Sequence, residues 1–151
     1  MCIRDSRRDG GGDIMTREEL AGAVEKWLRA WNRHDLDEVM ALFDEKAVFE
    51  TWAGLRIEGR ENIRKAWKEW FGAGGFSFTS EETVLDEEAQ TVVFPWLYAG
   101  PAKCFGGKME KRRGIDLIRF RDGMVIEKIT YTKTSLEVEG RRITLTSGER
   151  R

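Results

Sequence analysis

The apolar residues change their spacing once along this chain, and that single change limits the possible folds more than any other feature. Up to residue 71 they recur every three or four positions, the period of a helix, whereas from residue 76 they largely alternate with polar residues, the period of a strand. Helices are therefore expected first and strands afterwards. This order favours an α+β domain in which helices pack on one antiparallel sheet.

Three helices are predicted in the first half of the chain. The first follows Thr16, which can cap it, and Glu19 three residues later completes the pattern of a capping box. A short second helix begins at Asp35, another residue suited to an N-cap. The third covers about residues 60–71, and the glycine-bearing residues 72–75 are expected to end it.

The second half of the chain predicts long strands separated by acidic or glycine-bearing turns. Asp122 and Gly123, between two apolar runs, give the clearest hairpin signal. A weaker hairpin is expected over residues 136–145. The four predicted long strands cover residues 76–85, 91–99, 108–120 and 124–134.

One domain is expected, over residues 15–146, because a chain of 151 residues suffices for a single hydrophobic core. Met15 is the expected natural start, since the residues before it are charged and glycine-rich and the string over residues 1–6 resembles a translated sequencing adapter from metagenomic reads. We therefore expect residues 1–14 to be a non-native or disordered leader. Residues 147–151 are expected to be a frayed tail.

The composition argues against several classes of function. With 40% hydrophobic and 35% charged residues the chain is expected to fold, and a net charge of −1 argues against binding nucleic acid. No apolar stretch is long enough for a membrane span, and Cys2 and Cys104 form neither a disulfide framework nor a metal motif. We expect a cytoplasmic protein with no metal, and no phosphate loop or nucleophile elbow indicates a cofactor.

Four short segments resemble the nuclear transport factor 2-like superfamily, and within it the SnoaL-like polyketide cyclases and ketosteroid isomerases. They are residues 25–37 (EKWLRAWNRHDLD), 47–50 (AVFE), 59–64 (GRENIR) and 115–123 (IDLIRFRDG). The resemblance implies a cone-shaped α+β barrel, in which three N-terminal helices pack on a curved, mixed and mainly antiparallel sheet around one pocket. It implies less about activity, because isomerases, cyclases, epoxide hydrolases, dehydratases and binding domains share this cone.

The resemblance keeps one catalytic position of the isomerases and loses two. In those enzymes a proton-shuttling aspartate faces an oxyanion site made by a tyrosine and a protonated aspartate. The protonated aspartate falls on Asp116, whereas the tyrosine falls on Trp27, which is not acidic, and the shuttling aspartate falls on Thr51. Steroid isomerisation by that mechanism is therefore not expected, and the Asp-Arg-Asp trio of related epoxide hydrolases has no counterpart.

Asp116 is also singled out by its strand. It shares a predicted strand face with Ile118 and Phe120, and a carboxylate beside two large apolar side chains is unusual on an inner surface. Burial there is expected to raise its pKa toward the range of a general acid or base. The alternative is a structural carboxylate paired with an arginine or a backbone amide near the pocket rim.

The group opposite Asp116 depends on the hairpin turn. A two-residue turn places Glu127 diagonal to Asp116, which gives a carboxylate pair. A three-residue turn with a glycine bulge makes Lys128 face Asp116 and turns Thr130 inward, which gives an ion pair. The resemblance favours the bulge, whereas the apolar character of the odd-numbered residues favours the shorter turn, so both alternatives stay open.

Aromatic side chains are the remaining pocket candidates. They alternate along the strand over residues 92–98 and lie one turn apart on the first and third helices, so they can converge on a wide apolar cavity. Filling the core is the alternative role for each of them singly. The residues expected to bind a small apolar or aromatic molecule are Trp27, Trp31, Thr51, Trp67, Phe94, Trp96, Tyr98, Ile118, Lys128 and Thr130.

The favoured function is a SnoaL-like enzyme of the cyclase, isomerase or lyase type, in which Asp116 acts as general acid or base on an apolar carbonyl-bearing substrate. The alternatives are a non-catalytic domain that binds an apolar ligand and a dimerisation module that uses the outer sheet face; a homodimer is expected. Residues 100–108 are expected to hang over the pocket as a lid. The basic residues 111–113 are interpreted as a solvated strand end, and His34 as a solvated turn residue.

Overall fold

The computed structural model describes residues 12–145, which form three α-helices, a short 3-10 helix and nine strands. The α-helices are α1 (Arg17–Asn32), α2 (Leu36–Met40) and α3 (Arg60–Ala73), and the 3-10 helix is Lys103–Phe105. The strands are β1 (Phe43–Glu50), β2 (Arg56–Glu58), β3 (Ser77–Ser80), β4 (Val84–Asp86), β5 (Thr91–Pro101), β6 (Met109–Arg121), β7 (Met124–Thr132), β8 (Ser135–Val138) and β9 (Arg141–Thr144). The expected leader, apart from residues 12–14, and the expected tail lie outside the described residues.

The predicted helix starts are confirmed by their caps. Thr16 Oγ1 accepts a hydrogen bond from the Glu19 amide at 3.2 Å, and Glu19 Oε2 accepts one from the Thr16 amide at 2.7 Å, which completes the capping box of α1. Asp35 caps α2 through the Glu38 amide at 3.0 Å. Helix α3 runs past Gly72 and ends at Gly74, whose φ of 60° few other residues adopt.

The main path of the sheet has the order β2-β1-β7-β6-β5-β3, and it is mixed and mainly antiparallel as expected. Only the β1–β7 pairing is parallel among the described strands. Two details differ from the prediction. Residues 76–85 form two strands, β3 and β4, which both pair with β5. Strands β1 and β2 were not predicted, and because they precede α3 the helices do not all come before the strands. The three helices pack on the curved sheet, so the α+β cone predicted from the sequence is confirmed.

Neither predicted register between β6 and β7 is right in full. The turn has two residues, Asp122 and Gly123, both with positive φ, as in the first alternative. The register then shifts beyond Phe120, because β7 carries an extra residue in a bulge at Ile126. This bulge reverses the facing of the following residues, so Lys128 and Thr130 point inward as the second alternative required.

The core lies between the helices and the concave face of the sheet. Its fully buried side chains come from both layers, and Ile118 is among them at 1% exposure. Ile118 therefore packs in the core and does not line the cavity described below, contrary to the sequence prediction.

Within residues 12–145, no helix is long and apolar enough to cross a membrane.

Candidate active site

A cavity of about 500 Å³ opens between the helices and the inner face of the sheet. The strand period explains its wall, because every second residue of β5 faces inward, from Phe94 to Tyr98, while Trp27 and Trp31 reach it from α1. Apart from Ile118, the structure brings together all the predicted site residues. These are Trp27, Trp31, Thr51, Trp67, Phe94, Trp96, Tyr98, Asp116, Lys128 and Thr130.

The tryptophans serve both as core and as cavity wall. Trp31 lies at the centre of the aromatic cluster, with ring centroids 4.9 Å from Trp67 and 5.4 Å from Trp70. Such tilted and edge-to-face contacts fix the rings relative to one another. The indole nitrogens of Trp31 and Trp96 are nevertheless buried without a hydrogen-bond partner among the described residues.

Gly114 provides the space that Trp96 occupies. The two residues lie opposite each other on β6 and β5, and a Cβ added to Gly114 would lie 2.3 Å from Trp96 Cζ2. The same Cβ would lie 2.5 Å from the Tyr131 carbonyl oxygen. The indole of Trp96 therefore lies directly against the bare backbone of β6 and forms an apolar part of the cavity wall.

Asp116 and Lys128 form a buried ion pair in this wall. The Lys128 Nζ lies 3.1 Å from Asp116 Oδ1, and the two side chains are only 6% and 7% exposed. Thr130, directly opposite Asp116 on β7, donates its hydroxyl to the same Oδ1 at 2.7 Å and accepts from Lys128 Nζ at 2.5 Å. The predicted alternative partner, Glu127, lies on the outer face and pairs with Arg119 instead.

Lys128 also lies over aromatic rings. Its Nζ is 4.7 Å from the centroid of Phe49 and 5.9 Å from those of Trp31 and Trp67. Burial lowers the pKa of the Lys128 amine below its ordinary value, and the Asp116 charge opposes this only in part. Lys128 therefore gives up a proton more readily than a lysine on the surface.

The pair leaves one acceptor and one donor available to a ligand. Both hydrogen bonds to Asp116 end on Oδ1, and no described residue donates to Oδ2. The ammonium of Lys128 has three N–H groups, and its polar contacts among the described residues are Asp116 and Thr130. A carboxylate oxygen and an N–H donor thus lie side by side in the cavity wall.

A second polar pair in the cavity, Glu110 and Arg112, was not predicted. Arg112 Nη2 lies 3.2 Å from Glu110 Oε2, and both residues line the cavity. The Arg112 side chain is 14% exposed and the Glu110 side chain is 10% exposed. Trp52, in the turn between β1 and β2, has its ring centroid 5.2 Å from the guanidinium carbon. The sequence could have indicated that Arg112 faces the cavity, because it lies four residues before Asp116 on the same strand and so points to the same side of the sheet.

The interpretation of residues 111–113 as a solvated strand end is therefore wrong for Arg112. It holds for the two flanking residues, whose side chains are exposed on the other face. Lys111 pairs with Glu137 at 4.0 Å, and Arg113 pairs with Glu81 at 2.6 Å.

Two further expectations are clarified by the structure. The connection between β5 and β6 reaches the cavity through Lys103 and Cys104, next to Pro101 at the end of β5, so it forms part of the rim. His34 is half-buried rather than solvated, with Nε2 2.6 Å from the Phe76 carbonyl oxygen.

Over residues 12–145, no three His, Cys, Asp or Glu side chains are grouped so that they could hold a metal ion.

The helices packed on a curved mixed sheet, with a cavity between the layers, define the NTF2-like fold. The chain belongs to the SnoaL-like domain family, whose model matches residues 24–128. No curated protein sequence matches the chain.

Three solved structures illustrate the fold. An NTF2-like protein of unknown function from Mesorhizobium loti is 25% identical, with a TM-score of 0.64, over 77% of this chain and 92% of that one. The epoxide hydrolase/cyclase-like enzyme SalBIII, which has a role in pyran ring formation in the polyether salinomycin, is 17% identical. The match has a TM-score of 0.72 and covers 80% of this chain and 96% of that one. A Mycobacterium tuberculosis protein in complex with estradiol-17beta-hemisuccinate is 20% identical, with a TM-score of 0.64, over 75% and 92%.

Proposed function

We propose that this protein is an enzyme that moves a proton on an apolar, carbonyl-bearing small molecule held in the aromatic cavity. Asp116 is the proton acceptor and donor, and Lys128 binds the carbonyl oxygen. The observation that supports this proposal is the carboxylate and the ammonium side by side, both nearly excluded from bulk water, in the wall of a cavity of about 500 Å³.

The arrangement suits removal of a proton next to a carbonyl group. A ketone holds its oxygen and its α-hydrogen close together, so one molecule can place the hydrogen at Asp116 Oδ2 and the oxygen at Lys128 Nζ. Asp116 takes the proton, the C–H electrons form the enolate double bond, and the negative charge that develops on oxygen is stabilised by the ammonium. Return of the proton to a different carbon completes an isomerisation. Attack of the enolate carbon on a second carbonyl carbon of the same molecule forms the new C–C bond, the C=O π electrons move to oxygen, and transfer of the proton from Asp116 to that oxygen completes a cyclisation.

Thr130 and the rings would prepare the pair for this role. The Thr130 hydroxyl and Lys128 both hold Oδ1, which fixes the orientation of the carboxylate and leaves Oδ2 toward the ligand. Trp27 and Thr51, which occupy the positions of the lost tyrosine and aspartate, line the same cavity and are proposed to contact the substrate. The steroid-bound protein among the similar structures supports a flat, polycyclic substrate, and the cyclase-like enzyme supports a cyclisation.

The test measures deuterium uptake by β-tetralone, a flat bicyclic ketone, in heavy water by NMR. The protein is expected to accelerate exchange at the carbon between the ring and the carbonyl. Asp116→Asn, which keeps the shape of the side chain, should lower the rate by about 100-fold or more. Asp37→Asn, a change of an exposed carboxylate paired with Arg64 outside the cavity, is the matched control and should retain the wild-type rate.

A non-catalytic binding domain is the second candidate, and one observation favours it. Asp116 already has two partners on Oδ1, as a purely structural carboxylate would have. This alternative predicts saturable quenching of tryptophan fluorescence by β-tetralone with no deuterium exchange above the rate in buffer. That result would replace the catalytic proposal by the binding one.

We further propose that the protein is a homodimer that uses the outer face of the sheet. Pro95, Ile115 and Tyr131 lie side by side there on β5, β6 and β7, and Ile115 and Tyr131 are exposed. Sedimentation should give a dimer for the wild-type protein and a monomer for Tyr131→Lys. The control Leu55→Lys alters an exposed apolar residue on the cavity side and should remain a dimer. A monomeric wild-type protein would exclude the interface.

A further inference from the structure

We infer that the cavity recognises its substrate at two ends, and that Arg112, held by Glu110 and flanked by Trp52, donates a hydrogen bond to a second, uncharged oxygen of the molecule far from Asp116. This inference rests on the proposed function, since it names the class of substrate for the same cavity. The substrate would be an elongated apolar molecule with a carbonyl at the Asp116 end and another oxygen acceptor, such as a ketone or an ether, at the Arg112 end.

The two ends are set by one strand. Glu110, Arg112, Gly114 and Asp116 have the same parity on β6, and all but Gly114 line the cavity directly. Asp116 follows Arg112 by four positions, which corresponds to about 13 Å along the strand. A molecule that touches both residues must therefore be elongated, about as long as a biphenyl that carries an acetyl group at each end.

The surface between the two ends is mainly aromatic. Gly114 has no side chain to interrupt it, and the indole of Trp96 lies over that glycine. A ligand that lies along β6 would thus meet polar groups at its two ends and rings along its middle. This distribution fits a molecule with two separated oxygens better than one with a single polar group.

Arg112 has an unused donor. Its Nε is buried and has no hydrogen-bond partner among the described residues, although Nη2 is held by Glu110. A buried N–H without an acceptor is costly, and a small turn of the guanidinium toward the cavity, which Arg112 lines, would let a ligand oxygen accept from it and remove the cost. Tyr98, opposite Arg112 on β5, adds a phenol at this end whose pKa is raised by burial.

The charge of the pair favours a neutral oxygen over a carboxylate. Glu110 already neutralises Arg112, so a ligand carboxylate would lie beside the Glu110 carboxylate in a poorly solvated site. A ketone or ether oxygen accepts the same hydrogen bond without adding a charge. The flanking Lys111 and Arg113 do not alter this balance inside the cavity, because their side chains lie on the opposite face with their own carboxylate partners.

The experiment compares rigid aromatic ketones by quenching of tryptophan fluorescence. The probes are para-acetylbiphenyl, with one carbonyl, para,para′-diacetylbiphenyl, with two, and the analogue with a carboxylate in place of the second acetyl group. The diketone is expected to bind the wild-type protein about tenfold more tightly than the monoketone, the effect of one hydrogen bond to a charged donor. The carboxylate analogue is expected to bind less tightly than the diketone.

Variants of Arg112 test whether the difference arises at this end. Arg112→Met should abolish the preference for the diketone, since it removes the N–H donor at this end of the cavity. Arg112→Lys keeps the charge but lacks Nε, so it should lose most of the preference even if the Met variant fails to fold. Arg113→Met, a change on the outer face, is the matched control and should keep the full preference.

The outcomes separate this inference from the proposed function. Equal binding of the two ketones, or an unchanged preference in both Arg112 variants, overturns the second subsite while leaving proton transfer at Asp116 intact. Tighter binding of the carboxylate analogue overturns the assignment of a neutral oxygen. If neither ketone binds, the second subsite and the proposed ligand cavity are both overturned. If the wild-type protein prefers the diketone but Asp116→Asn leaves deuterium exchange unchanged, only the catalytic proposal is overturned.

Discussion

Adding one methyl group at Gly114 should test how tightly the cavity wall is built. In Gly114→Ala the new Cβ would lie 2.3 Å from Trp96 Cζ2 and 2.5 Å from the Tyr131 carbonyl oxygen, about 1 Å too close for ordinary contact. The carbonyl belongs to the backbone of β7 and can move little, so the indole of Trp96 must be displaced. We expect a loss of about 1–3 kcal/mol in the free energy of unfolding, the usual cost of overpacking.

Urea unfolding followed by circular dichroism measures this loss, and one control uses the same chemical change. Gly22 lies on the exposed face of α1 with nothing within 4 Å of an added Cβ. Gly22→Ala should therefore stabilise the protein by about 0.5–1 kcal/mol through helix propensity. A Gly114→Ala variant as stable as the wild-type protein, with unchanged β-tetralone affinity, would refute the described packing of Trp96.

Two further predictions concern the buried ion pair. Lys128→Met should destabilise the protein by about 3–5 kcal/mol in urea unfolding because it leaves the Asp116 charge buried without a charged partner. The double variant Asp116→Asn, Lys128→Met should recover most of that loss. A double variant as unstable as Lys128→Met alone would contradict the pairing. Because the pKa of Lys128 is lowered by burial, the unfolded chain binds more protons at this residue than the folded chain between the lowered pKa and the ordinary value near 10.5. The stability of the wild-type protein relative to Lys128→Arg should therefore rise with pH across that interval, and a relative stability that falls would show that the pKa is raised instead.

Features that depend on local sequence were predictable. The capping box at Thr16 and Glu19 and the position of the hairpin turn at Asp122 and Gly123 involve neighbours in the chain, so the residue types alone indicate them, although they left the length of the turn open. The helical and strand periods predicted the three helices and the long strands of the second half for the same reason, but not β1 and β2, which lie between α2 and α3. The aromatic cavity followed from these periods, since parity on β5 already places its aromatic residues on one face.

Features that depend on contacts between residues far apart in the chain were not predictable from the sequence. The bulge at Ile126 decides that Lys128 rather than Glu127 meets Asp116, and no residue type near Ile126 marks a bulge. Parity also shows which face a side chain occupies but not how far the cavity extends along the strand. Ile118 was therefore assigned to the pocket although it lies in the core, and Arg112 was missed although it shares the face of Asp116.

The central claim is that a ligand can reach Asp116 and Lys128 together inside the cavity. β-Naphthol, a flat mimic of the enol of β-tetralone, tests it directly in a crystal structure of the complex. The account predicts that its oxygen lies within about 3 Å of both Asp116 Oδ2 and Lys128 Nζ, with its rings among the tryptophans. Naphthol bound elsewhere, or a cavity closed by the side chains of Trp31 and Trp96, would contradict it.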